Sequence, residues 1–107
     1  SGLRTLSISG CTSVTDLHPL ARLTGLASLN LAGCDGIEDF TPLDKLAGSL
    51  TSLNLCGTNI SYVMSLAKFG ALETLDLRRC RNVRAEDVEK LQQRLPNCKV
   101  IADGPKK

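Results

Sequence analysis

The chain has 107 residues, enough for one domain and too few for two. Leucine fills 19 positions, against three aromatics (Phe40, Tyr62, Phe69) and no Trp, so the interior has to be aliphatic. Thirteen basic and eleven acidic residues leave a formal charge of +2, which argues against a dedicated nucleic-acid binder. No apolar run approaches the roughly 18 residues that a membrane span needs, and nothing at the N-terminus reads as a signal or transit peptide.

The chain repeats itself. Residues 3–25 (LRTLSISGCTSVTDLHPLARLTG) return as 26–49, as 50–71 and as 72–94, and a capping strand follows over 95–101 before a tail at 102–107. The leading leucines Leu3, Leu26, Leu50, Leu72 and Leu95 are 23, 24, 22 and 23 apart. In the first unit Leu6 and Ile8 alternate with polar residues, the period of a short half-buried strand. Cys11 then marks the point where the chain turns off the strand. Leu17, Leu20 and Leu23 follow at a spacing of three, which suits a 3₁₀ turn, and Pro19 fits its opening, where a missing N–H costs little. The second unit repeats each feature with Leu29, Leu31, Cys34, Phe40, Pro42, Leu43 and Leu46. The third has Leu53, Leu55, Thr58, Val63, Leu66 and Phe69. The fourth keeps Leu75, Leu77 and Cys80 but replaces the turn with RAEDVEKLQQRL. There Val88, Leu91 and Leu95 have helical spacing, Glu86 and Asp87 sit in the first turn, and Pro96 stops the run. In the fifth, Cys98 and Val100 are expected in the two inward strand slots. The glycines Gly10, Gly33 and Gly57 directly follow the strands as turn residues.

On these residues the chain resembles a leucine-rich repeat protein from Leu3 to Ile101. The repeat length and the T-D-L-x-P-L element resemble the short 22-residue class seen in internalins and protein-phosphatase regulators. The cysteine slot and the closing RLPNCKV resemble the class found in F-box proteins, and the wording G-C-T-S-V-T-D-L-x-P-L is similar to repeat arrays of trypanosomatid proteins. The expected fold is an α/β leucine-rich repeat solenoid of one domain. A parallel sheet lines its concave face, 3₁₀ or short helical turns its convex face, and a helical cap its C-terminal end. The first strand has no such cover, so the expectation is a terminal part of a longer array or edge pairing of strand one with another chain.

The outward strand positions define a candidate surface. One row is Thr5, Ser28, Ser52, Thr74 and Asn97; the next is Ser7, Asn30, Asn54, Asp76 and Lys99; the third is Ser9, Ala32, Cys56, Arg78 and Ile101. From these the partner-binding set is Ser7, Asn30, Asn54, Asp76, Lys99, Ser28, Ser52, Thr74 and Arg78, with anchors at the charged end. A second candidate is the basic rim Arg79, Arg81 and Arg84, whose guanidinium forks suit carboxylate or phosphate. No cofactor, metal or catalytic set is indicated. His18, the only histidine, lies in a turn, and the five cysteines follow the repeat and not a zinc or disulfide spacing. Their odd number points to a reducing compartment, the cytoplasm first, and Cys56 is the thiol in an outward row. The reading is a non-catalytic module that binds another protein through the concave face. The alternatives are a structural or assembly subunit, the substrate-receptor part of a ubiquitin ligase, and RNA association through the Arg78–Arg84 cluster.

Overall fold

Each unit contributes one strand of three residues in the computed structural model, which describes residues 3–103. Residues 104–107 of the expected tail lie outside the described residues. The strands are β1 (Thr5–Ser7), β2 (Ser28–Asn30), β3 (Ser52–Asn54), β4 (Thr74–Asp76) and β5 (Lys99–Ile101). They pair in parallel in the order β1-β2-β3-β4-β5, with Leu6, Leu29, Leu53, Leu75 and Val100 in one register line. The alternation has a direct cause: the central residue points inward and its two neighbours outward. Leu29, Leu53 and Leu75 are accordingly at most 1% exposed.

On the opposite side run 3₁₀ turns at His18–Arg22, Thr41–Leu46 and Val63–Lys68, as the spacing of three predicts. Pro19 and Pro42 lie in the first two positions of their turns. An aspartate just ahead fastens each start: Asp16 Oδ1 accepts the His18 N–H at 2.9 Å and Asp39 Oδ1 the Thr41 N–H at 3.0 Å. Between the sheet and the turns lies one aliphatic core, with Leu17, Leu31, Leu46, Leu55, Leu66 and Leu77 among its members and Phe69 as its buried ring.

The turn after each strand is built by a ladder. Gly10, Gly33 and Gly57 take positive φ values of 77°, 78° and 73°, which bends the chain inward. Below them the Cys34 Sγ donates to the Ile8 carbonyl and the Cys80 Sγ to the Leu55 carbonyl, both at 3.0 Å. Thr58 Oγ1 donates to the same Leu55 carbonyl at 2.9 Å. Small donors are needed here because the bent backbone leaves carbonyls pointing into the core. Burial raises the Cys34, Cys80 and Cys98 thiols above their ordinary pKa, which keeps them protonated and able to donate.

The two ends differ. Leu6 and Ile8 are half-buried, whereas Leu29 and Leu31 at the same levels of β2 are at most 1% exposed. At the other end α1 (Ala85–Arg94) replaces the 3₁₀ turn and packs on the third turn and on β5. The register expected for the fifth unit is corrected here. Leu95 does not lead that unit; it closes α1, and the Cys98 N–H bonds its carbonyl as Leu26 bonds Leu23 and Leu72 bonds Phe69. Cys98 therefore takes the leading-leucine position, 4% exposed, and the strand starts at the next residue. Lys99 then pairs with Thr74, Val100 with Leu75 and Ile101 with Asp76. The slip is an even number of residues, so Lys99 keeps its face and changes only its row.

Candidate functional site

Because outward residues alternate with the core leucines, ten side chains stand in two rows across the sheet. One row is Thr5, Ser28, Ser52, Thr74 and Lys99; its neighbour is Ser7, Asn30, Asn54, Asp76 and Ile101. Asn97, expected in the first row, falls outside the strand. The structure thus brings Ser7, Ser28, Asn30, Ser52, Asn54, Thr74, Asp76 and Lys99 onto one surface.

The Asn/Asp row is locked from beneath. Asn30 Oδ1 accepts the Ala32 N–H at 2.9 Å, Asn54 Oδ1 the Cys56 N–H and Asp76 Oδ1 the Arg78 N–H, both at 3.0 Å. These are Asx turns that end each strand. They leave the amide nitrogens of Asn30 and Asn54 as donors at the surface, in a fixed orientation. Cys56 sits beside them, half-buried, with its main-chain N–H committed to Asn54.

Asp76 departs from the outward-facing role read from its spacing. It is 9% exposed, because Arg78 folds back over it: Nη2 reaches Oδ2 at 2.8 Å and Nε reaches Oδ1 at 3.1 Å. The Arg78 hydrogen bonds hold the Asp76 carboxyl below its ordinary pKa, and the same pairing raises the Arg78 guanidinium. The charged end of the face is therefore a closed pair in which Arg78, 56% exposed in its side chain, is the accessible member.

Arg79, Arg81 and Arg84 lie elsewhere. They surround a cavity of about 340 Å³ at the C-terminal end of the array, with Leu77, Cys80, Val83, Ala85, Val88, Ala102 and Asp103 completing its wall. Arg79 occupies the turn position of Gly10, Gly33 and Gly57 and shares their conformation, at φ 60°. Sequence reasoning passed over this, although aligning the four units puts Arg79 under the three glycines. It also passed over Gln92. This side chain donates to the Leu95 and Cys98 carbonyls at 3.0 and 2.7 Å and accepts the Val100 N–H at 3.2 Å, pinning β5 to α1. Among the described residues, no cluster of His, Cys, Asp and Glu could hold a metal ion, and no helix is long and apolar enough to cross a membrane.

Among solved structures, an internalin from Listeria monocytogenes is similar to this chain in fold. The match has a TM-score of 0.72 at 24% sequence identity and covers 94% of this chain and 28% of that one. The chain therefore spans little more than a quarter of that protein's length. No family model and no curated protein matches the sequence. Five parallel strands, 3₁₀ turns behind them and a helix at the last unit are the architecture of a leucine-rich repeat solenoid.

Proposed function

We propose that this leucine-rich repeat solenoid is a non-catalytic recognition module that binds another protein through its sheet face. One observation carries the reading: the Asn30 and Asn54 side chains are fixed by their own backbones at 2.9 and 3.0 Å, with their amide donors left at the surface. A partner meeting such a face loses little conformational freedom from this side, so hydrogen bonds made there retain most of their value. Ser28, Ser52 and Thr74 flank those amides with small hydroxyls, Lys99 adds a positive charge at the C-terminal end, and Arg78, neutralised by Asp76, keeps an exposed guanidinium there. Asp76 acts as a positioning residue for Arg78. The buried thiols that donate in the turn ladder work only while reduced, which supports a reducing compartment.

The test uses Ser52→Arg with Thr74→Glu, opposite charges on register partners. Both residues lie in the outward row and neither supports a turn, so the double variant keeps its urea midpoint. Proteins captured from native lysate by the parent and lost from the variant support the reading. Retention of every captured protein by the variant overturns it.

A further inference from the structure

The basic cavity at the C-terminal end is a separate feature from the sheet face. Arg79, Arg81 and Arg84 line it, and beneath them its wall is aliphatic, with Leu77, Val83, Val88 and Ala102. At about 340 Å³ it falls near the small end of the range for ligand pockets, roughly 300–1,000 Å³.

Two facts set this cluster apart from a solvated charge run. First, Arg79 is the non-glycine residue with positive φ among the described residues, at a position where three other units carry glycine. Side chains are disfavoured in that conformation, and backbone strain of this kind concentrates at functional positions. Second, the charge is only partly compensated, with the Asp103 carboxylate as the acid in the same wall. The guanidinium groups of Arg79 and Arg81 form no ion pair with any described residue, and Arg84 meets Glu86 at a loose 3.6 Å, both members exposed. Three cations on one rim raise the local potential and attract an anion.

We propose that this cavity is a second binding site, which takes an acidic peptide segment: a carboxylate on the arginine rim and an adjoining aliphatic side chain on the wall. The Asp103 carboxylate in the same wall disfavours a dianionic phosphate more than a singly charged carboxylate. The aliphatic lining has no ring on which a nucleobase could stack. The site does not depend on the sheet face being a recognition surface.

The probe is a fluorescently labelled five-residue peptide alternating Glu and Leu, titrated into the 107-residue chain. The control peptide has Gln in place of Glu. Saturable binding is expected, with amide shifts at Val83, Val88 and Ala102 in a nitrogen–proton correlation spectrum. Arg79→Gly should weaken it at least tenfold while the melting temperature stays level or rises, since glycine suits that backbone. Arg79→Gly with Arg81→Ala should abolish it. The proposal is overturned by equal affinity for the Gln peptide, by unchanged binding in the double variant, by shifts confined to the sheet face, or by no binding at millimolar peptide. Displacement of the peptide by inorganic phosphate at equal concentration overturns the assignment to a carboxylate.

Discussion

Asp103 Oδ2 accepts the backbone N–H of Arg79 at 2.9 Å and so stands in for a main-chain carbonyl. In the preceding units that bond is made by the next strand's backbone, from Gly10 to Ala32, Gly33 to Cys56 and Gly57 to Arg78. Asp103 falls at the same register level beyond β5, and its side chain makes the corresponding rung. Asp103→Ala should cost about 0.5–1.5 kcal/mol, the net worth of one hydrogen bond at a site that water can reach. Asp103→Asn, which keeps an oxygen acceptor, should recover most of that. Urea unfolding with an unchanged m-value measures both. No change in Asp103→Ala would mean that the rung is decorative.

Gln92 serves two carbonyls and one N–H with a single side chain. Gln92→Ala removes all three bonds in a half-buried setting, leaving the Leu95 carbonyl only the Cys98 N–H, and should cost about 1–3 kcal/mol. The local signature is faster hydrogen exchange of the Val100 amide. A variant with lower stability and unaltered Val100 exchange would place the effect elsewhere.

Arg78 holds the Asp76 carboxyl below its ordinary value, chiefly through side-chain hydrogen bonds. The folded-state pKa is then lower than the unfolded value of about 3.9. The resulting stability is complete above about pH 4 and disappears as pH falls through the folded-state value. Asn stands at this register position in β2 and β3, so Asp76→Asn keeps the turn and removes the charge. The parent should be the more stable at pH 7, and its advantage should shrink as pH falls from about 4 toward the folded-state value. Asp16 and Asp39, also lowered by hydrogen bonds to His18 and Thr41, leave a residual acid slope in the variant. A stability difference that stays constant from pH 7 to pH 3 would remove the ion pair as its cause.

Leu53, 1% exposed in the middle strand, and half-buried Leu6 in β1 occupy the same sequence slot. Leu53→Ala should cost about 2–5 kcal/mol, and its loss should reach neighbouring units because each stacks on the next. Leu6→Ala should cost well under half as much, since water already touches one side. Chemical denaturation of the two variants settles the order, and equal costs would contradict the burial gradient.

What the sequence determined alone is the repeating unit. Leucines at alternate positions, small residues at Cys34, Thr58 and Cys80, prolines at 19 and 42 and apolar spacing of three are short-range constraints. Each one specifies a strand, a bend or a 3₁₀ turn within its own 23 or so residues, and the period stacks them. Tertiary structure decided whatever depends on residues a unit apart or on chain length through the last turn. The fifth strand slipped two residues because a helix of ten residues spends its length differently from a 3₁₀ turn of six, leaving Cys98 to fill the leucine position. Asp76 looked outward-facing by spacing and is covered, because Arg78 is long enough to fold back upon it. The Arg79–Asp103 rung spans 24 positions, so neither residue identity nor periodicity announces it. Local periodicity is written along the chain, whereas side-chain pairing between stacked units exists only once the stack has formed.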